Sequence, residues 1–209
     1  MLLFSRIVTP NGPPRRALAF ALEATSYVNA NSSLNVTCWT GTFGHPIGTV
    51  GWSTFVESQA ALAASTADLL SQDAYHDLLE SAADLVGTPG QDFLREIVHG
   101  QPSGPPPIGA VATVTTATAV VDRMAEATLW GIAIAQQVEA ATGSPVGVGL
   151  DLYGPMGAMT WIGVAENPAA ADAARAALRA DSAYLDALQG SKGLFIPGSG
   201  HVAQVTRIG

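Results

Sequence analysis

The chain has 209 residues, 48% of them hydrophobic and 12% charged, with a formal net charge of −8. Its length and apolar share suffice for a substantial core. The acidic balance, a single lysine (Lys192) and one adjacent basic pair (Arg15-Arg16) exclude the clustered cations that nucleic-acid binding requires.

In chain order, Leu3 to Thr9 alternates as a strand and is broken by Pro10-Asn11-Gly12-Pro13-Pro14. From Arg15 to Asn29, Leu18, Ala21, Leu22, Thr25 and Val28 recur at helical spacing. Leu34 to Thr42 and Thr49 to Val56 read as strands around a Phe43–Gly48 turn, and Glu57-Ser58 opens an Ala-rich helix through Leu79. Phe93 to His99 is a fourth strand, and residues 101–109 have the Gly/Pro composition of a linker. The order then repeats: a strand over Ala110–Thr118, a helix carrying Val120, Met124, Ala127, Gly131, Ile134 and Val138 on one face, strands over Val146–Leu152 and Ala158–Ala165, and a closing strand over Val202–Ile208. Between the last two strands, Asn167-Pro168 opens a helix, with Asn as cap and Pro at its first position.

The repeat is also visible residue by residue. Shifted by about 109 positions, Trp52 falls on Trp161, Glu57 on Glu166, Leu69 on Leu178, Tyr75 on Tyr184, Leu85 on Leu194 and Gly100 on Gly209. Two copies of one β-α-β-β-α-β unit follow, spanning 1–100 and 110–209. The fold class is therefore α+β, with two ferredoxin-like units. An antiparallel sheet with helices on one face leaves its other face bare, and each copy is expected to cover its sibling's. The low charge content also leads us to expect self-association into a homo-oligomer.

With these elements in this order, twice, the chain resembles a tandem, fused member of the dimeric α/β-barrel superfamily. That group includes antibiotic-biosynthesis-type monooxygenases, haem-degrading enzymes and chlorite-dismutase-like proteins. The resemblance implies an intrachain α/β-barrel with a pocket between sheet and helices in each unit. Haem-degrading relatives carry a histidine on the second helix, where His76 lies, and an asparagine on the first strand; here that strand offers Ser5, and Asn11 follows its end. No cofactor is expected, haem being the one group the resemblance leaves open.

The candidate catalytic residues are His45 in the turn between strands two and three, His76, His201 beside Pro197-Gly198-Ser199-Gly200, and Tyr153 in the matching turn of the second copy. Trp39, Trp52, Trp161 and Phe43 are the candidate ligand-binding residues, suited to a small apolar or aromatic molecule. The structural alternative places Trp52 and Trp161 at the interface between the copies. His99, at a strand end beside the linker, is expected to be exposed.

The four histidines have no metal-ligand spacing, and Cys38 stands alone, so neither a metal site nor an internal disulfide is expected. No stretch reaches the roughly 18 apolar residues of a membrane span. Glu23 cuts short the apolar run after Arg15-Arg16, below the roughly 7–15 residues of an export signal, and a cytoplasmic location is expected.

Two functions fit. One is a non-catalytic, ligand-binding or self-assembling protein, favoured because no polar constellation repeats. The other is a cofactor-independent monooxygenase-like enzyme acting on an aromatic or polyketide-like compound. The enzyme reading requires a pocket of roughly 300–1,000 Å³, and the non-catalytic one filled pockets.

Overall fold

The computed structural model describes residues 1–85, 90–102 and 104–209. Its first half comprises β1 (Leu2–Val8), α1 (Pro14–Asn31), β2 (Thr37–Phe43), β3 (Val50–Val56), α2 (Gln59–Leu70), α3 (Asp73–Glu80) and β4 (Gln91–His99). The second half repeats this as β5 (Val111–Thr118), α4 (Met124–Thr142), β6 (Val146–Asp151), β7 (Ala158–Ala165), α5 (Pro168–Ala180), α6 (Ser182–Gln189) and β8 (His201–Arg207). Asn167 caps α5 as its sequence suggests, accepting from the Ala170 amide at 2.9 Å.

The helix expected to continue, straight or bent, through Leu79 is two helices, and so is its counterpart. Gln72, with φ −100° and ψ 117°, separates α2 from α3, and Asp181, with φ −86° and ψ 106°, separates α5 from α6. The Asp181 carboxylate then caps α6 by accepting from the Tyr184 amide at 2.7 Å. One extended residue interrupts each helix and redirects the chain.

The strands pair β4-β1-β3-β2 in one half and β8-β5-β7-β6 in the other, and antiparallel β2–β8 and β4–β6 ladders join them into a closed barrel. Each half thus shields the other's inner sheet face, as expected. It also satisfies the other's edge N–H and C=O groups, and closure leaves no open edge.

Register confirms the duplication and refines it. Arg6 pairs with Trp52 in β1–β3, and Thr115 pairs with Trp161 in β5–β7. In α1, β2 and β4 the structural match lies one residue beyond the 109-residue shift. Trp52 Nε1 donates to the Ala21 carbonyl and Trp161 Nε1 to that of Gly131; likewise Leu3 faces Arg95 while Ala112 faces Val205. The apparent alignment of Gly100 with Gly209 is therefore off by one residue.

Small residues let the long helices sit close to the sheet. Ala21, Ala127 and Ala135 are completely buried, and a Cβ on Gly131 would stand 2.8 Å from Met159 Cε and 3.0 Å from the Trp161 ring. Asn29 ties α1 to β2, donating to the Val36 carbonyl at 2.9 Å and accepting from its amide at 2.7 Å; Glu139 accepts from the Val146 amide at 2.9 Å in the matching place. The segment with linker composition is strapped to β8. The Gly109 amide donates to the Arg207 carbonyl at 2.9 Å, and Arg207 Nη1 donates to the Pro106 carbonyl.

Candidate functional site

Alternation along the strands decides what each cavity sees. In the first half Phe4, Arg6, Val8, Val50, Trp52 and Thr54 share the face covered by helices, and between them and α1, α2 and α3 lies a cavity of about 400 Å³. The equivalent space in the second half, between β5, β7 and helices α4, α5 and α6, measures about 540 Å³. Both fall in the range of small-molecule sites. Neither half has filled the pocket that its fold creates.

The second-half cavity has an aromatic wall. Trp130 and Trp161 meet edge to face at 6.0 Å, and Phe195 closes the triangle at 5.4 and 5.8 Å from them. Both indole N–H groups are occupied, Trp161's by the Gly131 carbonyl at 2.9 Å and Trp130's by the Ala187 carbonyl at 3.0 Å. The rings are thereby fixed in orientation and offer carbon surface to the cavity. Polar side chains line it at several places: Thr116 pairs with His201 across β5–β8, Ser199 accepts from the Thr118 amide at 3.0 Å, and Thr113, Thr142, Ser144 and Arg175 are also on the lining. Tyr184 lines the same cavity, and burial raises its pKa.

The first-half cavity has the matching indole, Trp52, whose N–H is shared between the Ala21 carbonyl at 3.3 Å and Thr25 Oγ1 at 3.0 Å. Arg6 stands beside it, held by Asp92 through two 2.7 Å bonds, and this pairing raises the Arg6 pKa. Trp52 and Trp161 therefore pack between sheet and helix in their own halves. They do not form the interface between the halves: at that contact the sheets meet through their other faces and their edges, while these indoles point toward the helices.

The other candidates scatter, except for one pair. His45, on the β2–β3 turn of the first half, meets His201 of the second half with ring centroids 6.3 Å apart. Burial first, and His201 second, lower the His45 pKa. His76 is exposed, and its Nε2 donates to the Leu70 carbonyl at 2.8 Å; its neighbour Tyr75 is the residue of that turn that lines the cavity. Tyr153 is 60% exposed and bonds Gln59 at the start of α2, outside both cavities. Phe43 is likewise exposed and lines neither. Trp39 pairs with Gly51, which puts it on the sheet face opposite Trp52, in the barrel interior, where its indole bonds Thr37 Oγ1 at 3.0 Å and Ser53 Oγ at 2.9 Å. His99 is partly buried against Glu139 at 3.3 Å, contrary to the exposure expected of it.

Trp130 and Phe195 were not among the sequence candidates. The signal for Trp130 was present: it stands where Phe20 stands on α1, so a large ring on the first helix is a duplicated feature too.

Of the side-chain types that ligate haem iron, the first-half cavity offers Tyr75 and the second-half cavity Tyr184 and His201 among the described residues. Among the described residues, the first-half cavity is lined by no histidine, cysteine or methionine, and the only such side chain lining the second-half cavity is His201. His201 is exposed. Among the described residues no group of three or more His, Cys, Asp or Glu could hold a metal ion, and no helix is long and apolar enough to cross a membrane.

No family model and no curated protein matches the chain. Solved structures do. A monooxygenase candidate from Fusobacterium nucleatum is similar with a TM-score of 0.71 at 10% identity, covering 100% of this chain and 92% of that one. A second from Lactobacillus acidophilus gives 0.69 at 12% identity, covering 99% and 93%. An anthrone oxidase-like protein gives 0.68 at 16% identity, covering 100% and 91%. At such identities the likeness concerns the path of the backbone, and it extends over essentially the whole length of each chain. With its closed eight-stranded barrel and duplicated register, the chain has the dimeric α/β-barrel fold in tandem form, two ferredoxin-like units closed within one polypeptide.

Proposed function

We propose that the protein binds a flat aromatic small molecule in the cavity of its second half. The observation that carries this reading is the fixed Trp130–Trp161–Phe195 wall in a space of about 540 Å³. A ligand with a polycyclic apolar body fits that wall, its rings against the three aromatics and an oxygen toward a lining polar group such as Ser199. Thermal melting and tryptophan quenching with anthrone as probe test it. Trp161→Leu should reduce affinity at least about tenfold, since a large aromatic contact at a pocket centre is worth roughly 1.5 kcal/mol or more. Unchanged affinity in Trp161→Leu and Trp130→Leu alike would remove the reading.

A second reading, oxygenation without a cofactor, draws support from the His201 imidazole on the lining and from the descriptions of the similar structures. His201 would accept a proton from an acidic ring methylene of the bound ligand. The carbanion is then oxidised by dioxygen; overall the methylene becomes a carbonyl and one molecule of O2 leaves as one oxygen in the product and one in water. Oxygen uptake with anthrone that disappears in His201→Asn, while binding persists, is the expected result. Binding without uptake leaves the ligand-binding reading and discards the enzymatic one.

A further inference from the structure

We propose that His45 and His201 form a binding site for one late transition-metal ion, Zn2+, Ni2+ or Cu2+, held between the two halves of the chain. The site lies at the β2–β8 seam. Its test uses metal ions alone, so it stands or falls apart from the aromatic ligand proposed for the second-half cavity.

The turn between β2 and β3 brings these two rings together. The Thr49 amide donates to the Pro46 carbonyl at 3.2 Å and the Thr49 hydroxyl to the same oxygen at 2.8 Å, while the Gly41 amide donates to the Thr49 carbonyl at 2.9 Å. Gly44, at φ +76°, lets the closed turn lie on the start of β8: a Cβ there would stand 2.5 Å from the Val202 carbonyl oxygen and 2.9 Å from Ala203 Cα. Gly41 likewise leaves room for His45, whose Cβ is 3.0 Å from where a Gly41 side chain would begin. The His45 imidazole is thereby set against that of His201, with ring centres 6.3 Å apart and planes at 56°. Metal–nitrogen bonds of about 2.0–2.1 Å place the centres of two imidazoles on one ion roughly 5–6.5 Å apart, so small side-chain rotations suffice.

Both rings are free to ligate. His76 bonds the Leu70 carbonyl at 2.8 Å and His99 lies 3.3 Å from Glu139. Among the described residues, neither His45 nor His201 has a hydrogen-bond or ion-pair partner on its ring. His201 is exposed and His45 half-buried, so an ion with its remaining water ligands can reach both. Burial and the neighbouring imidazole lower the His45 pKa, which keeps that ring in its neutral, ligating form at neutral pH. Two imidazoles also select the ion, because nitrogen ligands suit Zn2+, Ni2+ and Cu2+, whereas Mg2+ and Ca2+ require oxygen.

The duplication places this pair at one seam only. Ile7 pairs with Gln91 as Thr116 pairs with His201, and the turn that matches residues 43–48 carries Tyr153, Pro155 and Met156. The β4–β6 seam has no imidazole pair there and instead holds the buried ion pair of Arg95 with Asp151. An ion taking one ligand from each half ties the β2–β3 turn to the start of β8. It stabilises the folded chain, because unfolding separates the two rings.

The test is calorimetric titration of the full, untagged chain with ZnCl2 and, separately, MgCl2, with Tm measured across the same series. One Zn2+ per chain is expected, raising Tm by about 5–10 °C at about a hundredfold excess over the dissociation constant, with no response to Mg2+. His45→Gln and His201→Gln should each weaken Zn2+ binding at least about tenfold, whereas His76→Gln and His99→Gln should retain it. With CuCl2, electron paramagnetic resonance should show two imidazole nitrogens on the ion in the parent chain and one in either single variant. The parent's spectrum decides the matter even where a variant folds poorly. Unchanged Zn2+ affinity in both His45→Gln and His201→Gln, a response lost only in His76→Gln or His99→Gln, or a single imidazole nitrogen on Cu2+ in the parent would each overturn the proposal and leave an adventitious ion only. The absence of any saturable Zn2+ response would overturn it too, with the aromatic ligand site of the second half still standing.

Discussion

Arg95 on β4 and Asp151 on β6 form a buried ion pair across one of the two seams that close the barrel. Arg95 Nε lies 2.8 Å from Asp151 Oδ1 and 3.0 Å from Thr160 Oγ1, with the guanidinium 4.5 Å from the Phe93 ring centroid. The two side chains are 6% and 8% exposed. Burial lowers the Arg95 pKa and raises that of Asp151, in each case outweighing the partner's attraction. Lost hydration offsets much of the attraction in a buried pair, and either charge alone would cost more still. Asp151→Leu strands the guanidinium and should destabilise the protein by about 3–5 kcal/mol, and Arg95→Met should do likewise. At roughly 2–4 °C per kcal/mol for a chain of this size, Tm should fall by about 6–20 °C. The double variant, an apolar pair of similar volume, should return to within about 1 kcal/mol of the parent or exceed it. Urea denaturation of all four proteins, followed by calorimetry, measures the cycle. Because the β2–β8 and β4–β6 ladders still join the two halves, each variant should melt in one transition. A double variant as unstable as the sum of the two singles, or an Asp151→Leu protein within about 1 kcal/mol of the parent, would refute the reasoning.

Three further outcomes follow from local geometry. Gly100 has φ +71°, and a Cβ there would run into the Val146 carbonyl at the β4–β6 seam, so Gly100→Ala should abolish cooperative thermal unfolding followed by circular dichroism. Asn29→Ala removes both bonds to Val36 and should cost about 1–3 kcal/mol, read as a lower urea midpoint at unchanged slope. His45 has a folded pKa below its ordinary 6.5, so the unfolded chain binds the proton more readily. Its contribution to stability is complete above that value and declines as pH falls through the folded pKa; His45→Gln should flatten that part of the stability–pH curve, and an unchanged curve would discount the His45–His201 contact.

Much of the fold was legible because hydrophobic periodicity is a local property. The alternation of Leu3–Thr9 and Ala158–Ala165 and the helical spacing from Leu18 to Val28 each mark a buried face without reference to distant residues. The duplicated Trp52 and Trp161 fixed the equivalence of the halves, and both indoles do bond the carbonyl of a matched helix residue. The candidate sites were less legible. Trp39 and Trp52 look alike in sequence, but pairing with Gly51 and Cys38 respectively sends Trp39 to the barrel interior and puts Trp52 on the cavity face. The helix break at Gln72 had no proline or glycine to announce it.

Amino-acid order alone determined the succession of strands and helices, the doubling, and which face of each element is apolar. Tertiary structure decided which edges join, that His45 and His201 come together from opposite halves, and that Trp39 and Trp52 lie on opposite faces of the sheet. The reason is that edges pair through backbone N–H and C=O groups, which almost every residue carries alike. A side chain's partners depend on which strands those groups bring alongside.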